Sequence, residues 1–175
     1  MKLFYQKGFH TTSMEEILTQ AGANHTTFNE YFNTKDELIL AALQKRDEQF
    51  REWFAKEIDQ RARTPKERLL IAFDILEEWY EGPGFHGCLF INATVEFASS
   101  ENPIHKAAAR HKRVFREYLQ GLAEAAGADN AAALSGQLML LMEGAIVTTQ
   151  VGGKPETARQ ARKAAEVLIE QALAH

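Results

Sequence analysis

Between residues 12 and 35 the chain gathers short polar side chains: Thr12, Ser13, Asn24, His25, Thr26, Thr27, Asn29, Tyr31 and Lys35. Hydroxyls, carboxamides and an ammonium are the groups that hydrogen-bond phosphate oxygens and base edges, and an Asn matches adenine bidentately in the major groove. Bond-making chemistry has no comparable constellation. There is no Gly-rich phosphate loop, no nucleophile elbow and no triad spacing, so the chain reads as a non-enzyme without a cofactor. His86, Cys88, His105 and His111 are metal-ligand types. Their spacings match no zinc pattern, and His105 and His111 fall on different faces of a helix, so no metal is expected. Cys88 is the single cysteine. It reads as a small core residue, cannot form an intramolecular disulfide, and fits a reducing compartment.

Two carboxylates sit oddly. Asn92 and Glu96 lie four apart in the otherwise apolar run from Gly87 to Phe97, and Glu143 lies inside the apolar run from Leu138 to Val147. A carboxylate there is costly unless paired. Either these residues orient a ligand in a cavity, or they make satisfied structural hydrogen bonds.

The elements that must carry these groups read as helix after helix. Candidate capping boxes are Ser13 with Glu16, Thr34 with Glu37, and Thr64 with Glu67, the last with Pro65 at the first helical position. Asn102-Pro103, Asp129 and Pro155 mark further starts; Gly8, Gly22, Gly82-Pro83-Gly84, Gly127 and Gly152-Gly153 mark stops. No segment alternates like a strand. The expected fold is all-α with about nine helices, near 1–7, 13–20, 24–31, 35–60, 65–81, 87–99, 103–126, 129–151 and 155–174. At 45% hydrophobic and 25% charged the chain can bury a core. No stretch reads as about 20 apolar residues able to span a bilayer, and the start lacks a secretory signal. The expected location is the cytoplasm, with no membrane partner.

Ser13 opens a short helix whose Met14, Ile17 and Leu18 share a face; Ala21-Gly22-Ala23 makes a tight turn; Asn24 caps a second short helix with Phe28, Tyr31 and Phe32 as its inward stripe. Two short helices joined by such a turn form a helix-turn-helix, whose second helix enters the major groove. Residues 3 to 43 resemble the TetR family of transcriptional regulators. They match its pattern at Leu3, Phe4, Gly8, Phe9, Thr12, Ser13, Met14, Ile17, Ala21, Gly22, Thr27, Phe28, Tyr31, Phe32, Thr34, Lys35, Asp36 and Leu38. The resemblance implies that Thr12 and Ser13 open the second helix at the DNA backbone. It places His25, Thr26, Thr27 and Asn29 on the exposed start of the recognition helix, with Tyr31 and Lys35 clamping phosphates. Each has a plainer role too: Thr12 and Ser13 as turn and cap residues, Tyr31 as core cover, Lys35 as a solvated lysine.

Two departures stand out. Asn29 stands where the family usually has Tyr, and His25 where it often has Lys. Residues 1–37 hold Lys2, Lys7 and Lys35 against Glu15, Glu16, Glu30, Asp36 and Glu37, a net of −2, within a whole-chain charge of −4. Phosphate neutralisation supplies most non-specific affinity, so either a longer, basic N-terminus precedes this truncated first helix or the head binds DNA poorly.

The expected domains are a three-helix DNA-binding module over 1–45 and a ligand-binding and dimerisation bundle over 46–175. The bundle is dense in aromatic residues, and a helical bundle can enclose an apolar cavity. Its candidate lining is Phe73, Leu76, Phe90, Asn92, Glu96, Phe97, Phe115, Met139, Met142 and Glu143. The eighth helix has two apolar stripes, one through Leu134, Leu138, Leu141 and Ala145, the other through Met139, Met142 and Ile146. A helix apolar on two sides must be buried on both. The first stripe, with Ala161, Ala165, Leu168 and Ala172 of the ninth helix, is the expected dimer interface. The function the resemblance implies is a repressor that binds pseudo-palindromic double-stranded operator DNA as a homodimer and is released by a small apolar effector. The alternative is a helical ligand-binding or dimeric interaction protein with a degenerate head.

Overall fold

The computed structural model describes residues 1–152, 154 and 156–174. Among them run nine helices and no strand: α1 (Lys2–Lys7), α2 (Met14–Ala21), α3 (His25–Tyr31), α4 (Lys35–Arg61), α5 (Pro65–Glu81), α6 (Leu89–Glu96), α7 (Pro103–Ala125), α8 (Ala131–Gln150) and α9 (Glu156–Leu173). The expected all-α fold, with its N-terminal helix-turn-helix, stands. Pro155 and Gly153, expected start and stop residues, lie outside the described residues.

Local chemistry accounts for most boundaries. Ser13 and Thr64 form complete capping boxes with Glu16 and Glu67, each pairing two orphan donors of a first turn. At α4 the expected box is incomplete. Thr34 Oγ1 accepts the Glu37 N–H, but the Glu37 carboxylate accepts the N–H of Asn33, one residue further back. Helix α8 is capped by Asn130, which accepts from Ala133, and not by Asp129. Gly22 sits at φ 63°, ψ 29° and ends α2, with Ala23 N–H donating back to Leu18, a closure that favours a residue without a Cβ.

The chain forms two compact units, one of Met1–Gln49 with Cys88–His111, the other of Phe50–Gly87 with Lys112–His175. In the first, Phe4, Phe9, Leu18, Ile39, Leu43, Phe90 and Phe97 are buried. Phe9 lies 5.2 Å from Phe4 and 5.9 Å from Phe97, ring centre to ring centre. In the second, Leu69, Phe73 and Leu76 of α5 are buried, and α5, α8 and α9 pack together. Burying each such side chain contributes about 1.5–3 kcal/mol.

Helix α8 corrects two expectations. By length and composition alone Ala131–Gln150 is apolar enough to cross a membrane, although no such stretch is expected from the sequence. It is apolar because one face is core and the other face is apolar as well. Leu134, Leu138 and Ala145 of the expected dimer stripe are buried in the chain, as are Met139, Met142 and Ile146 of the other stripe. The two stripes are one broad inward face. The stripe that faces solvent runs through Gln137, Leu140, Gly144, Val147 and Val151, with Leu140 74% and Val151 82% exposed. On α9, Ala161 and Ala165 are core residues with Ala158 and Ile169, Leu168 and Ala172 are half-buried, and Val167 is 63% exposed beside Ala164 and Gln171.

Candidate nucleic-acid interface

Helices α2 and α3 are joined by Gly22, Ala23 and Asn24. Asn24 takes an extended conformation and its side-chain oxygen accepts the Thr27 N–H at 2.9 Å, which starts the second short helix where the turn ends. No residue of α3 is buried. Phe28 and Phe32, 5.6 Å apart, are half-buried and hold the helix down. His25, Thr26, Thr27 and Asn29 are all exposed. His25 and Asn29, four apart, share a face. A seven-residue rod held by two rings, with its polar side chains in solvent, is shaped for a groove.

The remaining expected DNA residues divide. Tyr31 is 75% exposed, so it is no part of an inward stripe; its phenol is free to reach outward. Thr12 is 0% exposed and its hydroxyl donates to the Gly8 carbonyl at 2.7 Å. Its side chain is a lock inside the α1–α2 loop and reaches no phosphate. Ser13 is committed to the capping box through both its hydroxyl and its N–H. The Lys35 ammonium donates to the His10 carbonyl at 3.4 Å, which places it beside the entry to α2.

Charge follows the same geometry. Lys7 lies 2.5 Å from Glu16. That ammonium first, and the Ser13 N–H second, hold the Glu16 carboxyl at about 2, below its ordinary 4.5. Glu15, Glu30 and Asp36 are exposed. The head therefore presents few cations beside a surplus of exposed carboxylates.

The ten expected cavity residues divide between the two units. Phe90, Asn92, Glu96 and Phe97 belong to the first unit; Phe73, Leu76, Phe115, Met139, Met142 and Glu143 belong to the second. Glu96 accepts the Phe9 N–H at 2.9 Å and the His10 N–H at 2.7 Å, so its carboxylate is bound to backbone rather than presented to a ligand. Glu143 pairs with Lys112 at 2.7 Å. Phe73, Leu76 and Met142 are packed core. Phe115 lines a cleft of about 300 Å³ between α4 and α7, with Phe54, Ala55, Val114 and Tyr118 and with Arg51 and Glu52. Phe54 and Phe115 meet edge to face at 5.0 Å. Burial raises the Tyr118 phenol above its ordinary 10.0, keeping it a hydrogen-bond donor.

Sequence reasoning missed His10, whose ring Nε2 lies 3.0 Å from the Glu96 carbonyl, and the buried Asp47–His111 pair. Both join residues more than sixty positions apart, and no local spacing signals them. Among the described residues no cluster of three or more metal-ligand types occurs.

Comparison with known proteins agrees with this geometry. Residues 1–42 match the family model described as bacterial regulatory proteins, tetR family, and residues 65–165 match the tetracyclin repressor-like C-terminal domain. The chain is 22% identical over 169 residues to the HTH-type transcriptional regulator YjdC of Escherichia coli, covering 97% of this chain and 88% of that protein. It is similar to the crystal structure of SCO4454, a TetR-family transcriptional regulator from Streptomyces coelicolor, at a TM-score of 0.90 and 24% identity, over 98% of this chain and 90% of that one. A putative TetR-type regulator from Streptomyces avermitilis matches at a TM-score of 0.84 and 27% identity, over 99% and 93% of the two chains.

Proposed function

The chain belongs to the TetR family of bacterial regulatory proteins, and from that premise we propose that it is a cytoplasmic repressor acting on operator DNA as a homodimer. The observation that carries the reading is α3, capped by Asn24 and without a buried residue. His25, Thr26 and Asn29 are the base-reading side chains. Thr27, Tyr31 and Lys35 take phosphates, while Thr12 and Ser13 shape the loop from within. Two copies of α3 address successive major grooves of a pseudo-palindromic site, about one helical turn apart.

The dimer forms through the solvent-facing stripe of α8 and the Val167 face of α9. Exposed apolar side chains on two adjacent helices are a liability in a monomer and an interface in a pair. The effector is a small, largely apolar molecule that occupies the cleft beside Phe54, Phe115 and Tyr118, where rings supply area and the phenol supplies orientation. It releases DNA only if it binds the released conformation more tightly than the bound one. Helix α4 contributes residues both to the first unit and to this cleft, and is the element through which the preference acts.

Gel shifts of the full-length protein on its own upstream DNA at low salt test the reading, repeated with aromatic compounds that raise its thermal midpoint. A retarded band that such a compound abolishes is the expected outcome. No band at low salt favours a ligand-binding or interaction protein whose acidic head is degenerate.

A further inference from the structure

Glu96 ends α6, a helix whose other residues are mostly apolar. Its two carboxylate oxygens are divided between two consecutive backbone donors, Phe9 N–H on Oε1 and His10 N–H on Oε2. The His10 ring returns the contact to the Glu96 carbonyl and lies 4.7 Å from the ring of Phe97. The neighbouring backbone is shaped for this approach. Gly8 has φ 90°, and a Cβ there would lie 2.9 Å from Glu96 Oε1. The carbonyl of His10, in the following peptide, accepts from the Lys35 ammonium.

We infer that Glu96 is a positioning residue for DNA binding: by holding both the amide and the ring of His10 it fixes that residue, and so sets where the Lys35 ammonium on its carbonyl meets a phosphate. The inference rests on the DNA-binding reading of the head. Phe9 is fully buried and anchored by Phe4 and Phe97, so the loop has a seat without the carboxylate. What the carboxylate adds is the orientation of the next peptide. A carboxylate accepting two charge-assisted bonds fixes a peptide plane far better than ring packing does. Lys35 carries a flexible four-carbon stem, and the His10 carbonyl is the contact that restricts it here. An ammonium that reaches its phosphate releases a condensed counterion, and where it no longer reaches that phosphate the salt slope loses that contact.

The experiment measures affinity of the full-length protein for a mixed-sequence duplex of about 40 base pairs over a series of KCl concentrations, since each phosphate contact contributes a slope of roughly −0.9 to log K against log salt. Lys35→Met lowers the magnitude of that slope by about 0.9, the value of one phosphate. Glu96→Ala lowers it by a similar amount, and the double variant loses no more than either single one. Glu96→Gln, which retains one acceptor, falls between wild type and Glu96→Ala. Hydrogen exchange of residues 8–12 quickens in Glu96→Ala while α5 and α8 keep their protection. A loss of folded protein lowers the bound fraction without changing the slope, so a purely structural role gives weaker binding at the wild-type slope, and that result overturns the proposal. Additive slope losses in the double variant overturn it equally. If Glu96→Ala loses protection throughout, Glu96→Gln decides, and a wild-type slope in that variant counts against positioning. A wild-type protein that leaves the duplex unbound at low salt overturns the DNA-binding reading itself, and this inference with it.

Discussion

The Nδ1 atom of His111 lies 2.6 Å from Oδ1 of Asp47, both side chains are buried, and the ring of Phe90 stacks on the imidazole at 3.7 Å between centres. Three helices, α4, α6 and α7, thus share one buried polar contact in the first unit. Removing one member leaves a buried polar partner whose contact is lost. Asp47→Ala is expected to destabilise the protein by about 3 kcal/mol, whereas Asp47→Asn keeps an acceptor and loses less. Urea denaturation of the three proteins provides the check; equal midpoints would show the pair to be dispensable.

Glu16 gives the acid response of the head a sign. Its folded carboxyl titrates at about 2, below the ordinary 4.5, with Lys7 the first cause. A depressed carboxyl contributes stability that is full above the unfolded value and is lost as pH falls from 4.5 towards 2. Glu16→Gln is therefore less stable than wild type at pH 7, and the gap narrows below pH 4.5 and closes only near pH 2. A gap that stays constant across that range would mean the ionised form contributes nothing.

Gly8→Ala meets two obstacles at once. Its φ of 90° with ψ of 167° is a backbone region reserved almost wholly for glycine, costing another residue about 1–3 kcal/mol, and the new methyl presses on Glu96. The variant should unfold at lower urea and shift duplex less well. Combining it with Glu96→Ala removes the crowding but not the strain, so only part of the stability returns.

The two faces of α8 separate assembly from folding. Leu140→Glu places a charge on the exposed stripe and should convert dimer to monomer in sedimentation velocity while thermal unfolding of the monomer stays cooperative. Leu138→Ala, on the opposite face of the helix and wholly buried, should cost about 2–5 kcal/mol and leave the dimer intact at protein concentrations where the variant is folded. The reverse pattern would restore the inward stripe as the interface.

Asn29 is exposed on α3, and in the proposed complex it reads a base. Asn29→Ala is expected to cost about 1–3 kcal/mol on the preferred site and to relax selection at one base pair. Selection from a randomised duplex library compares the two proteins. An unchanged preference at every position would remove Asn29 from the readout.

Much of the architecture is set by rules that act within one turn of helix or less. Ser13, Thr64, Asn24 and Gly22 fix where helices begin and end through groups two to five residues away, and for that reason the nine helices, the helix-turn-helix and the exposed His25–Asn29 face were legible in the chain alone. The spacing also showed that α8 is apolar on more than one side. Which side turns inward was settled by α5 and α9 packing against it, because a hydrophobic stripe carries no label for its partner. The same holds for the odd carboxylates. Burial demands that Glu96 and Glu143 be paired, and the sequence says so; that one partner is the peptide of His10 and the other is Lys112 follows only when distant segments meet in three dimensions.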